Sequence, residues 1–91
     1  MKIEISEDVL FQEVSGETVL LDLASEQYFG LDSVGTRIWA LLNEGAGADA
    51  VVDTLLAEYE VERATLAADV DELLARLAEA GLIRFVDAAE E

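Results

Sequence analysis

Residues 19–42, VLLDLASEQYFGLDSVGTRIWALL, place a strand, a tight turn, a second strand and the start of a helix in direct succession. Before the turn, every second residue is apolar and the residues between them are mixed, which is typical of a strand. After Leu31, apolar residues recur at the spacing of an amphipathic helix. Because the short strand Gln27–Leu31 leads directly into a helix, we expect it near the edge of a small sheet, where an extended partner could pair with it.

Two turns divide the first third of the chain into three strands. Residues 9–14 and 18–23 flank Ser15-Gly16-Glu17, which predicts a hairpin with Gly16 at positive φ, and residues 24–26 form the next turn. The sheet is expected to be covered on one side only. Its wholly apolar face carries Val19, Leu21 and Leu23, and in the third strand we expect Phe29 and Leu31 to point inward and Tyr28 outward.

Three amphipathic helices follow. Asp32 or Ser33 is expected to cap the first, and helices at about 48–59 and 63–80 come next, joined by a short turn as in a helix-turn-helix. Gly81 predicts a C-terminal cap in which Leu82 packs on Leu77, and residues 83–86 are compatible with a final short strand. The predicted fold class is therefore α+β, with a three-stranded antiparallel sheet followed by three helices in a winged helix-turn-helix arrangement.

Length and composition predict one domain over residues 1–91. The chain has no Cys, so disulfides and Cys-ligated metals are excluded. Neither a secretory signal nor an apolar run long enough for a membrane span is visible, so we expect a soluble, cytoplasmic protein.

The charge is strongly negative, with 21 acidic and 5 basic residues giving a formal net charge of −16. Nucleic acid and anionic membranes are therefore poor partners, because both are bound mainly through clustered Lys and Arg. A winged-helix DNA-binding regulator would share the architecture but is disfavoured by this charge. The acidity either keeps a small apolar domain in solution or attracts a basic protein partner.

Catalysis is also disfavoured. The chain has no His, no Cys and a single lysine, Lys2, so the ordinary general bases and nucleophiles are missing, and we expect neither an enzyme nor a cofactor or metal. A carboxylate site on the third helix, formed by Asp69, Asp71 and Glu72, is the remaining alternative. Such residues are more often solvated on an outer helix face.

Residues 30–34, GLDSV, resemble the Gly-x-Asp-Ser-Leu signature of acyl and peptidyl carrier proteins, in which the Ser carries a phosphopantetheine arm. Carrier proteins have a helix before this loop, whereas the present chain has strand-type alternation there. A helix cap is the simpler account of Asp32 and Ser33.

A longer resemblance covers nearly the whole chain. The segments VLLDL at 19–23, YFGL at 28–31 and GTRIWALL at 35–42, followed by YEV, ADVD and GLI, resemble the PqqD family of winged-helix domains. These domains recognise the leader peptides of ribosomally made, post-translationally modified peptides. The YFGL and RIWALL motifs are most similar to those of the stand-alone leader-binding protein of split lasso-peptide systems. A leader-binding chaperone for a radical SAM or other modifying enzyme is the alternative within the family.

The resemblance implies that a leader adds as an antiparallel strand beside Gln27–Leu31, in the groove between that strand and the third helix. It further implies a non-catalytic adaptor whose partners are the leader, a separately encoded leader peptidase and a cyclase. The peptide contacts expected on this basis are Gln27, Tyr28, Phe29, Gly30 and Leu31 on the strand, and Leu66, Asp69, Val70, Glu72, Leu73, Leu74 and Leu77 on the helix.

Overall fold

The computed structural model describes residues 2–86, which form five strands and three helices. In chain order these are β1 (Lys2–Ile5), β2 (Val9–Val14), β3 (Glu17–Asp22), β4 (Gln27–Leu31), α1 (Ser33–Asn43), α2 (Ala48–Glu58), α3 (Arg63–Glu79) and β5 (Ile83–Val86). Strands β2, β3 and β4 make an antiparallel sheet in that order, and β1 pairs with β5 in a second, two-stranded sheet. The α+β class, the three-stranded sheet, the three helices and the C-terminal strand are confirmed.

Strand β1 was absent from the sequence-based prediction. It pairs antiparallel with β5, with Lys2 opposite Val86 and Ile5 opposite Ile83. Four residues are too few for a periodic signal, and the pairing partner lies at the other end of the chain, so local sequence does not reveal it. The pairing explains why β5 forms, since an isolated four-residue strand has no partner for its backbone groups.

Both hairpin turns follow from their residues. Ser15 and Gly16 adopt φ values of 54° and 83°, as in a two-residue type I′ turn, so β3 begins one residue earlier than predicted. In the second turn the buried carboxylate of Asp22 accepts hydrogen bonds from the Ala24 N–H at 3.1 Å and the Ser25 hydroxyl at 2.8 Å. These bonds allow a charged residue to face the core.

The covered face of β3 is not its wholly apolar face. Leu20 is fully buried and lies opposite Phe11 and Phe29, whereas Val19 and Leu23 are 44% and 49% exposed. The helices therefore cover the mixed face and leave the wholly apolar face open. A strand with leucines on both faces gives no clear hydrophobic contrast, so its orientation depends on the neighbouring strands and helices.

Two helix caps form as the sequence predicts. The Asp32 carboxylate accepts the Gly35 N–H at 2.8 Å, which selects Asp32 over Ser33 as the cap of α1. At the end of α3, Gly81 has a φ of 78° and the Leu82 N–H donates to the Leu77 carbonyl at 3.0 Å, which is a Schellman motif. Its apolar contact is buried, since Leu77 and Leu82 are 0% and 1% exposed.

The core lies between the inner sheet face and the three helices, and β1 and β5 close one end. Its largest fully buried side chains are Trp39, Leu20, Leu55, Leu74, Leu77 and Leu82. Trp39 meets Phe11 edge-on at 6.1 Å between ring centroids. Within residues 2–86, none of the helices has the length and apolarity needed to cross a bilayer.

Candidate functional site

Strand β4 forms one edge of the three-stranded sheet. Its inner edge pairs with β3, from Thr18 opposite Leu31 to Asp22 opposite Gln27, while its outer edge is paired with no other strand among the described residues. An added Cβ at Gly30 would meet nothing within 4 Å, so this part of the edge is open to an approaching backbone. The expected edge position of Gln27–Leu31 is therefore confirmed.

A groove of about 360 Å³ runs beside this edge, between β4, the start of α1 and α3. Its apolar surface comes from Phe29, Leu31, Val34, Ile38 and Leu73, and its polar surface comes from Asp32, Asp69, Glu72 and Arg76. Apolar surface with a few charged groups at the rim is suited to holding an extended peptide by side-chain burial and orienting it by charge.

The structure brings together half of the residues predicted to bind a peptide. Those that line the groove are Phe29, Gly30, Leu31, Asp69, Glu72 and Leu73. Gln27 is exposed at the start of β4, and Tyr28 points to the outer face of the sheet with 73% of its surface exposed. Both lie on the strand to which a peptide would add, but outside the groove.

Four predicted contacts on α3 belong to the core. Leu66, Val70, Leu74 and Leu77 are exposed by only 6%, 0%, 2% and 0% of their surface. None of the four lines the groove, whereas the similarly buried Leu31 and Ile38 do, so we leave the four out of the proposed site. Sequence could not separate them from Leu73, because all five fit one broad apolar stripe of a helix.

Several groove residues were missing from the predicted site. Val34, Ile38 and Arg76 line the groove but are not among the predicted peptide contacts. A signal for Arg76 was present, because positions 69, 72, 73 and 76 follow the i, i+3, i+4, i+7 spacing of one helix face. That face lies next to the core stripe and looks into the groove.

Arg76 occupies the groove in a defined way. Its guanidinium carbon lies 5.3 Å from the centroid of the Phe29 ring, which is within the range of a cation–π contact. The contact joins α3 to β4 across the groove.

The carboxylates of α3 do not form one cluster. Asp69 and Glu72 line the groove, whereas Asp71 lies beside a separate depression with Ile3 and Phe85. Among residues 2–86, no group of three or more His, Cys, Asp or Glu side chains is arranged to hold a metal ion. Of the three carboxylates considered from the sequence, the groove therefore brings together Asp69 and Glu72 but not Asp71.

The outer face of the sheet is an exposed apolar surface, which we call the outer sheet face. Leu10 and Val14 are each 56% exposed, and Leu21 lines a shallow depression of about 450 Å³ on this face. The members of this surface are Leu10, Val14, Val19, Leu21, Leu23 and Tyr28. Exposed apolar patches of this kind are often binding surfaces in other proteins.

Comparison with known proteins links this architecture to a family. The family model described as coenzyme PQQ synthesis protein D (PqqD) matches residues 17–83, from β3 to the first residue of β5. No protein with a curated description matches the chain significantly.

Two solved structures resemble the whole fold. TbiB1 in complex with the TbiA(β) leader peptide is 42% identical, with a TM-score of 0.87 over 92% of this chain and 99% of that chain. A lasso peptide synthetase B1 complexed with its leader peptide is 27% identical, with a TM-score of 0.84 over 93% of this chain and 100% of that chain.

Proposed function

This chain belongs to the PqqD family, and on that premise we propose that it is a non-catalytic adaptor that binds the leader of a ribosomally made precursor peptide. A lasso-peptide precursor is the favoured partner, because both similar structures are B1-type proteins bound to leader peptides. Residues 1–91 would act as one recognition domain. Residues 1 and 87–91 of that proposed domain lie outside the described residues.

The observation that carries the proposal is the free edge of β4 beside an apolar groove. A leader segment adding antiparallel to β4 would satisfy the backbone N–H and C=O groups of the edge and extend the sheet to four strands. Backbone pairing supplies affinity and register with little dependence on sequence. Side chains that point into the groove supply the specificity.

An added strand would present alternate side chains to two different surfaces. Those on the inner face would enter the groove and contact Leu31, Val34, Ile38 and Leu73. Those on the outer face would lie beside Tyr28 and enlarge the outer sheet face. Tyr28 is thus a proposed contact for the outward side chains, although it does not line the groove.

The outer sheet face is the proposed docking surface for the leader peptidase. It is continuous with β4, so an enzyme bound there would be close to the leader that β4 holds. A partner with a complementary apolar face would bury the side chains of Leu10, Val19 and Leu21, which water now contacts. The cyclase is proposed to receive the precursor after the leader has been engaged, without a surface being assigned to it.

Leader binding is tested by titrating ¹⁵N-labelled protein with the synthetic TbiA(β) leader peptide, the ligand of the 42% identical structure, and with a scrambled version of it. We expect saturable amide shifts concentrated in β4 and on the groove side of α3, around residues 69–76. The scrambled peptide should give no such pattern. If the shifts map to β1 and β5 instead, strand addition at β4 is rejected.

Peptidase docking is tested separately with Val19→Lys, which places a charge at the centre of the outer sheet face. Ala57→Lys is the matched control, because it adds the same charge at an exposed position of α2. The Val19 variant should keep its leader affinity within about twofold and lose peptidase-dependent cleavage, whereas the control keeps both. Equal cleavage by the two variants would place the docking surface elsewhere.

A further inference from the structure

The four arginines of this chain differ in their partners. Arg37 pairs with Glu58 at 2.7 Å, Arg63 with Asp53 at 2.7 Å and Arg84 with Glu4 at 2.6 Å. Arg76 alone has no carboxylate within 4.0 Å among the described residues, although the protein carries 21 acidic side chains. The exception lies in the groove.

Local geometry does not explain this exception. Glu72 and Glu79 stand at i−4 and i+3 from Arg76, which are the spacings at which helical side chains pair. The guanidinium instead reaches across to Phe29 on β4. Arginine is a strong receptor for carboxylates because its planar fork of N–H donors can bind both oxygens. Above the Phe29 ring these donors are held in the groove, and no carboxylate among residues 2–86 pairs with them.

We propose that Arg76 is the receptor for a carboxylate of the bound peptide, carried by the Asp or Glu residue that pairs with Phe29. The proposal rests on the proposed function, since it assumes a strand added antiparallel to β4. A peptide residue directly opposite Phe29 points to the same face of the sheet as Phe29, and so toward Arg76. The ion pair would fix the register of a strand whose backbone pairing alone permits slippage.

The acidic residues of the groove determine where an acidic peptide residue is disfavoured. In an antiparallel strand, the residue two positions toward the N-terminus of the peptide lies opposite Leu31, next to the Asp32 carboxylate. Asp69 and Glu72 are also negative and line the same groove. An acidic side chain is therefore favoured at the Phe29 position and disfavoured at the Leu31 position, where a neutral or basic residue fits. From its N-terminus to its C-terminus, the inferred peptide motif is therefore a neutral or basic residue, any residue, and an acidic residue.

The test is a charge scan of a peptide probe against protein variants. The parent probe is the TbiA(β) leader peptide with a fluorophore, and each position is replaced in turn by Glu, Gln and Lys. Affinities are measured by fluorescence anisotropy with the wild type, Arg76→Gln and Arg76→Glu. Arg63→Glu is the matched control, because it makes the same change of charge at an exposed site outside the groove.

For the wild type, we expect one probe position at which Glu binds about tenfold more tightly than Gln, as for a charge-assisted hydrogen bond. The preference should vanish in Arg76→Gln and change to Lys over Gln in Arg76→Glu. Arg63→Glu should keep the preference for Glu at that position. Increasing the salt concentration should weaken the preference without changing its position.

Two failures have different meanings. If the probes bind but the ratio of Glu to Gln affinity is the same in the wild type and in Arg76→Gln, the carboxylate receptor is refuted and the leader-binding function stands. If no probe binds the wild type, the proposed function is refuted and the receptor with it. A Glu preference that Arg63→Glu also removes would show an effect of net charge alone and would likewise overturn the assignment.

Discussion

Leu73 and Leu74 are adjacent, chemically identical residues of α3 that face different surroundings. Leu74 is 2% exposed in the core, whereas Leu73 is half-buried and lines the groove beside β4. Truncating each to Ala therefore separates the contribution of the core from that of the groove. We predict that Leu74→Ala mainly lowers stability and that Leu73→Ala mainly lowers peptide affinity.

The expected magnitudes follow from burial. Removing a fully buried Leu side chain costs about 2–5 kcal/mol, which at roughly 4–8 °C per kcal/mol lowers the Tm of Leu74→Ala by about 8–40 °C. For a chain of this length the total free energy of unfolding is about 5–14 kcal/mol, so we expect this variant to remain folded near room temperature. The half-buried Leu73 should cost about 1 kcal/mol of stability.

Affinity should show the reverse order. Leu73→Ala removes apolar surface that a bound peptide would bury, and a loss of about 1.4 kcal/mol corresponds to a tenfold weaker Kd. Leu74→Ala leaves the lining of the groove intact and should change the Kd by less than about threefold at 10 °C. Thermal unfolding followed by circular dichroism, and anisotropy with the TbiA(β) leader peptide, measure the two effects. If both variants lose affinity equally while folded, the groove does not bind the peptide.

Three further predictions concern the elements around the site. Asp32→Ala removes the acceptor of the 2.8 Å bond from Gly35 and should cost about 1 kcal/mol in urea unfolding, with Asp32→Asn retaining most of it. Gly81→Ala forces a β-carbon onto a φ of 78° and should destabilise the protein by about 1 kcal/mol in the same assay. Hydrogen bonding to Arg37 lowers the pKa of Glu58, so this pair stabilises the fold above the ordinary carboxyl range and ceases to do so as pH falls through the lowered value. The Tm difference between wild type and Glu58→Gln should accordingly be present at pH 7 and vanish in acid; a constant difference would contradict this reasoning.

Much of the fold could be predicted because each element has a local cause. The turn at Gly16, the cap at Asp32 and the Schellman motif at Gly81 are specified by single residues, and the structure confirms all three. The helices follow from apolar spacing over three or more turns, which is the strongest signal a sequence contains. These local signals were therefore sufficient to predict the types of these elements and most of their bounds.

The errors arose where the cause was not local. Pairing of β1 with β5 joins the two ends of the chain, and the exposure of Val19 depends on which side of β3 receives α1. The division between core and groove on α3 has the same origin, because Leu73 differs from Leu74 only in which neighbouring element it meets. Arg76 was missed for another reason, namely that a single charged residue on a helix is usually solvated.

The negative charge of this chain counteracts the tendency of its open β4 edge and outer sheet face to self-associate. An unpaired edge strand and an exposed apolar sheet face are features that promote self-association, and proteins usually cover them. Both must stay open here if β4 accepts a leader and the outer sheet face accepts a peptidase. A formal charge of −16 on 91 residues makes two copies repel each other before their edges or faces can meet.

The same charge would repel an acidic peptide from the groove, where Arg76 alone among the described lining residues opposes it. If a leader adds to β4 as proposed, Arg76 would therefore favour one register of it, because a carboxylate placed elsewhere would meet Asp32, Asp69 or Glu72 instead.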